Sequence, residues 1–61
     1  TLKRLARRLA HKVAKTKKRV VLEPMNPYER RIIHSALKNN RFVKTYSEGE
    51  ETHRRVVIAL K

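Results

Sequence analysis

Apolar residues recur at spacings of three and four along the first part of the chain. Leu2, Leu5, Ala6, Leu9 and Val13 fall on one side, and Lys3, Arg4, Arg7, Arg8, His11, Lys12 and Lys15 fill the rest of the circumference. That 3.6-residue period predicts an amphipathic helix of about four turns. Its apolar stripe is expected to pack on the domain's own sheet, because a chain this short needs the buried area. Two rivals stay open, a helix lying on a membrane surface and a helix docking on a neighbouring domain. The stripe carries no Trp or Phe anchor, which weighs against the membrane.

Lys17-Lys18-Arg19 breaks the period, and Val20-Val21-Leu22 is a short β-branched run suited to a strand. Pro24 ends it, since proline cannot continue a ladder inside a sheet. A second helix then has clear start chemistry. Asn26 is a good N-cap, Pro27 fits the first helical position, and Glu29 can reach back to close a capping box. Asn39-Asn40 supplies the stop, one of the two being a candidate for a left-handed C-terminal position.

With Arg30 set at 0° and a turn of about 100° per residue, Ile32, Ile33, Ala36 and Leu37 fall at about 200°, 300°, 240° and 340°. Arg30, His34, Lys38 and Arg31 fall at about 0°, 40°, 80° and 100°, on an exposed shoulder beside that stripe. Residues 42–47 and 53–60 read as two strands, with Gly49 marking the hairpin turn between them. Val56-Val57-Ile58 is too uniformly apolar to say which face is buried, so the register stays open. The expected fold class is α/β: a small three-stranded sheet covered by two helices, in the order helix-strand-helix-strand-strand.

Charge narrows the function. Seventeen Lys and Arg stand against five acidic residues, all Glu, for a formal net charge of +12. Residues 1–22 contain no acid, and Glu23, Glu29, Glu48, Glu50 and Glu51 all lie beyond them. Such a balance points to polyanions, with nucleic acid ahead of an anionic membrane or an acidic protein surface. Hydrophobic residues make up 39% of the chain and are periodic, which favours a folded domain over disorder. There is no cysteine, hence no disulfide or thiolate metal site, and no apolar run near the length of a membrane span. The chain opens on Thr1 and not Met, and is expected to be a piece of a longer protein.

Two chemistries fit poorly. Metal binding has only His11, His34 and His53, with no Cys, no Asp and no close ligand spacing. Catalysis has no Asp to orient an imidazole and no glycine-rich phosphate loop, and Ser35 diverges from the adjacent His34 on a helix. Neither an enzyme, a metal nor a cofactor is expected. Arg30 and His34, four residues apart, would share one helix face. A guanidinium offers a planar donor fork for phosphate and can stack on bases, and an imidazole adds a second flat group. Single-strand sites combine such groups with a basic track. From spacing alone, a solvated Arg30 beside a locally packed His34 is an equal reading.

The run Pro24-Met-Asn-Pro-Tyr-Glu-Arg-Arg-Ile-Ile-His34, followed by Ser47-Glu-Gly-Glu-Glu51 and Arg54-Arg-Val-Val-Ile58, closely resembles the R-x3-H ("R-three-H") domain family. It is most similar to the domain that ends the bacterial Jag family of RNA-binding proteins. The resemblance covers about residues 20–60, while residues 1–17 match as a basic preceding helix more than as a motif. It implies a cytoplasmic domain binding single-stranded RNA or DNA, with Arg30 and His34 as the signature pair. It also implies an upstream KH domain in the parent protein and a role in RNA regulation linked to cell elongation and division. One departure is Thr52-His53, where the family more often has proline followed by an aromatic residue. That change is expected to affect the hairpin turn more than the binding face, with His53 able to add a contact.

The expected organisation is therefore a basic helix over residues 1–17 packed on an R-x3-H domain over 18–61, monomeric when isolated. The expected partner is single-stranded RNA in preference to DNA. Arg30 and His34 form the centre, Arg31 and Lys38 the flank on the same helix, and Arg41, Arg54 and Arg55 a strand-side border. Arg54 and Arg55 point to opposite sheet faces, so only one of them is expected to share the site. The alternative is a protein-interaction module that docks a partner through its basic helix and acidic hairpin turn. Tyr28, Phe42 and Tyr46 are the only aromatic residues, expected to serve packing before base stacking.

Overall fold

The basic amphipathic stretch forms α1, Leu2–Thr16, in a computed structural model that describes residues 1–61, the side chain of Glu51 apart. Thr1 caps it by accepting from the Arg4 N–H at 3.2 Å. Its buried side consists of Ala6, Ala10 and Val13, with Leu2 and Leu9 partly buried and Leu5 still 36% exposed. The stripe thus turns away from Leu5 toward Ala10. At about 100° per residue Ala10 sits only about 40° from Ala6, whereas Leu5 sits about 100° away on the other side. Two alanines on this line leave room for the second helix to lie close. Lys17 closes α1 in the left-handed conformation at φ 63°, with its N–H on the Val13 carbonyl at 2.7 Å.

The sheet has the order β1-β3-β2, antiparallel throughout, with β1 at Val20–Val21, β2 at Val43–Glu48 and β3 at Arg55–Leu60. The ladder fixes the register that the apolar run Val56-Val57-Ile58 left open. Val56 and Ile58 face the helices and join Val43, Ile33, Leu37 and the α1 residues in one core. Val57 faces the other way and is fully buried there, because its register partners Val21 and Tyr46 flank it on both sides. Arg19 bonds the Tyr46 hydroxyl at 3.3 Å on that helix-free side.

The second helix, α2, spans Pro27–Leu37 and begins with the complete capping box. Asn26 Oδ1 accepts from the Glu29 N–H at 2.8 Å, and Glu29 Oε1 accepts from the Asn26 N–H at 3.2 Å. Its fully buried line is Ile33 and Leu37, with Ile32 and Ala36 half-buried. That line lies near about 320° on the wheel, so the core stripe is rotated about 50° toward Arg30 and His34. Neither Asn39 nor Asn40 is left-handed. Asn40 instead stops the helix by turning the chain, its Oδ1 accepting from the N–H groups of Phe42 (2.8 Å) and Val43 (3.1 Å).

Two helices cover one face of a three-stranded sheet, an α/β fold in the order helix-strand-helix-strand-strand, as the periodicity predicts. The last two strands begin slightly later than their hydrophobic patterns do. A 3-10 turn at Glu51–His53 occupies the start of the expected third strand, and within it the Thr52 hydroxyl lies 3.0 Å from His53 Nδ1.

Candidate functional site

The polypeptide reverses at Asn40, so β2 runs back beneath α2. Residues two apart on a strand advance about 6.7 Å, and residues four apart on a helix about 6 Å. Side chains on the two elements can therefore be matched in step. His34 sits over the hydroxyl face of β2, with Nδ1 at 2.7 Å from Thr45 Oγ1 and Nε2 at 3.1 Å from Ser47 Oγ. A hydroxyl can donate or accept, so these two satisfy both ring nitrogens in either neutral tautomer. The ring is half-buried, and burial first, then the nearby Arg30 charge, hold its pKa below the ordinary 6.5.

This differs from the exposed shoulder that the wheel suggests. Rotation of the core stripe draws His34 and Arg30 inward, and both are half-buried. Arg30 donates from a terminal guanidinium nitrogen to the Met25 carbonyl at 3.0 Å, the last turn of chain before the Asn26 cap. Four of its five N–H donors are not used by that bond.

Arg54 completes the cluster. Its guanidinium donates to the Gly49 carbonyl at 2.8 Å and to the Ser47 carbonyl at 3.3 Å, and its own carbonyl accepts from the Met25 N–H at 3.2 Å. An open circuit of hydrogen bonds results, running from Arg30 to Met25, Met25 to Arg54, Arg54 to Ser47, and Ser47 to His34. Two cations and an imidazole are thus fixed on one small patch by backbone carbonyls and hydroxyls. None of these bonds consumes a carboxylate, so the positive charge of the patch is not neutralised within the circuit.

The remaining expected residues distribute unevenly. Lys38 caps α2 and, exposed, continues the row from Arg30 through His34. Arg41 is exposed in the turn that follows, and Arg31 is exposed on α2 about 100° round from Arg30. Arg55 pairs with Glu48 in the register, on the face that carries Val57 and not the helices. Its Nε donates to the His53 carbonyl at 3.3 Å. Of the two neighbouring arginines, Arg54 is the one that joins Arg30 and His34.

Thr45 and Ser47 are the residues the sequence reading missed. Their signal is present in the alternation Val43, Thr45, Ser47, an inward face that changes from apolar to hydroxyl just where a helix histidine lies above. Among the described residues no group of three His, Asp or Glu side chains gathers where a metal ion could be held. No described helix is long and apolar enough to cross a membrane.

Comparison with known proteins matches residues 1–60 to the R-x3-H domain family. Over all 61 residues the chain is 61% identical to the RNA-binding protein KhpB of Clostridium symbiosum, covering 28% of that protein. It is 51% identical to the RNA-binding protein KhpB of Lactiplantibacillus plantarum, covering 19% of it, and 51% identical to that of Bacillus subtilis, covering 30%. The chain therefore spans between about a fifth and a third of the length of these relatives.

Proposed function

The chain belongs to the R-x3-H domain family, and from that premise we propose that it is the single-stranded nucleic-acid-binding module of a Jag-type RNA-binding protein, taking RNA in preference to DNA. The observation that carries this reading is the circuit holding Arg30, His34 and Arg54 on one patch of a +12 chain. Spare guanidinium donors of Arg30 take a phosphate, and the fixed imidazole ring of His34 offers a flat neighbour to the adjoining ribose or base. Lys38 and Arg41 carry the backbone onward, Arg31 adds a flank, and Arg54 borders the patch, while Arg55 lies outside it. The name that the relatives carry, RNA-binding protein, supports RNA as the ligand.

The module binds and does not catalyse. In the parent protein it works in the cytoplasm beside an upstream KH domain, in RNA regulation linked to elongation and division. Two linked modules would raise the effective affinity of each.

The test is titration of labelled oligo-U, oligo-dT and duplex DNA with the wild type and with Arg30→Ala/His34→Ala. Oligo-U is expected to bind most tightly, and the double substitution to weaken it at least about 10-fold. If about 4 phosphates are neutralised, log K falls against log salt with a slope near −3. Single-strand binding that ignores the double substitution removes the pair from the mechanism. Absence of single-strand binding at moderate salt favours the protein-interaction reading.

A further inference from the structure

Phe42 is 57% exposed, a large apolar ring standing in solvent immediately after Arg41. Its backbone is anchored on both sides. Its N–H donates to Asn40 Oδ1 at 2.8 Å, and its carbonyl accepts from the Lys61 N–H at 3.0 Å. The ring lines a groove of about 600 Å³ between α1 and the end of the sheet, with Ala10, Ala14 and Leu60 as the other apolar surfaces. The rim is cationic, carrying Arg7, Lys15 and Lys17.

Two features of that rim lie outside the packing of the core. Lys17 occupies the left-handed C-terminal position of α1, where a glycine is the usual occupant and a side chain carries some strain. The strained turn sets a lysine at the groove mouth. The segment that supplies the rim, residues 1–22, contains no acidic residue. An apolar ring set in a groove whose lining carries Arg7, Lys15 and Lys17 and no acidic residue complements a ligand that is flat and apolar on its faces and anionic along its spine.

We infer that this groove is a second contact site for single-stranded nucleic acid, in which an unpaired base stacks on Phe42 while its flanking phosphates meet Arg7, Lys15 and Lys17. The inference rests on the proposed nucleic-acid reading and extends it. Two exposed cations, Lys38 and Arg41, lie between the two sites along the chain. The row Arg30, His34, Lys38 covers about 12 Å along α2, and Arg41 leads from its end to Phe42. The ligand therefore leaves the circuit at the C-terminal end of α2 and enters the groove beside α1. In this arrangement α1 has two duties: its buried side seals the core, and its Arg7 and Lys15 side borders the ligand.

The test compares wild type, Phe42→Ala and Phe42→Trp binding to an oligo-U of about 12 nucleotides, the length scale of one single-strand site. A ribose-phosphate strand of the same length without bases is the control. Stacking on one aromatic ring predicts that Phe42→Ala weakens oligo-U binding about 10-fold and leaves the base-free strand unaffected. Phe42→Trp is expected to retain oligo-U affinity and to show its indole fluorescence quenched on binding. Equal oligo-U affinity for wild type and Phe42→Ala overturns the inference, as does an equal loss on the base-free strand, or an unquenched indole at saturation. Should oligo-U binding depend on Arg30 and His34 but not on Phe42, only this inference falls. Should wild type bind no single strand, the underlying reading falls with it.

Discussion

His34 Nδ1 meets the hydroxyl of Thr45 at 2.7 Å, so the imidazole is fixed against β2 in the ligand-free protein. On the proposed reading, a pre-set ring would lose little freedom on contacting a ligand, and the hydroxyl that sets it would contribute to binding. Thr45→Val keeps the shape and removes the bond. Stability is expected to fall by about 1 kcal/mol, the ordinary net worth of one hydrogen bond, read from urea denaturation. Oligo-U affinity is expected to fall about 5-fold by fluorescence anisotropy. The two substitutions Thr45→Val and His34→Ala together should weaken binding no more than His34→Ala alone, since both act through one ring. A fully additive double variant would contradict the coupling.

The lowered His34 pKa has a definite consequence for acid stability. Burial, then Arg30, disfavours the charged ring in the folded state, so the unfolded chain holds that proton to higher pH. Between the folded value and the ordinary 6.5 the unfolded chain binds more protons, and stability rises with pH. The His34 contribution is complete above 6.5 and is lost as pH falls through the lowered value. Melting temperatures measured from pH 8 to pH 5 should therefore fall more steeply for wild type than for His34→Gln. A bound phosphate near the ring acts in the opposite direction by raising its pKa. Oligo-U affinity should thus increase on acidification in wild type, beyond any increase in His34→Gln.

The elements themselves are legible in the sequence because their signals are local. The Asn26, Pro27 and Glu29 start of α2 works as its residue types predict, with both bonds of the capping box present. What local patterns do not supply is rotation. Ile32, Ile33, Ala36 and Leu37 define a stripe, but only packing against α1 and β2 decides which edge of that stripe is buried deepest. That choice carries His34 from an open shoulder into contact with Thr45 and Ser47. The same limit explains Leu5, which is apolar yet sits at the rim while Ala10 is buried. Size decides here: two helices approach closely over alanine and not over leucine. Residue type marks Asn39 or Asn40 as a stop through a left-handed backbone, whereas the Asn40 side chain does the work by accepting two N–H groups.

Gly49 is required by the backbone of the turn that Arg54 closes. Its φ of 98° is strained for any residue with a side chain, and an added Cβ would lie 3.0 Å from the His53 carbonyl oxygen. Gly49→Ala is expected to cost about 1–2 kcal/mol in urea denaturation. Because Arg54 donates to the Gly49 carbonyl, oligo-U binding should weaken along with stability. Unchanged stability would show that the turn tolerates another conformation.

Arg54 and Arg55 are adjacent in sequence and opposed in space, which makes them a paired test of the site. Arg54→Gln removes a guanidinium that ties Ser47 and Gly49 and borders His34. Arg55→Gln removes the same charge from the helix-free face, where Arg55 pairs with Glu48 in the register. Both substitutions lower the net charge equally, so a purely long-range electrostatic role predicts equal losses. The circuit predicts instead that Arg54→Gln weakens oligo-U at least about 5-fold, with Arg55→Gln within about 2-fold of wild type. Equal losses would mean that the patch acts through net charge alone.

The alanine line of α1 allows a last separation of packing from binding. Ala6 is fully buried on the side of α1 that joins the core, whereas Leu5, one residue earlier, is 36% exposed. Ala6→Leu forces three further carbons into a filled interface, and over-packing of this kind costs about 1–3 kcal/mol. Leu5→Gln changes a rim position and should stay within about 0.5 kcal/mol of wild type. Hydrophobicity along the helix ranks these two substitutions in the reverse order, since one adds apolar surface and the other deletes it. Thermal melts of the two variants decide between the rankings. If Leu5→Gln is the more damaging, the stripe of α1 lies where the spacing of its leucines put it, and the close helix contact over Ala6 and Ala10 is wrong.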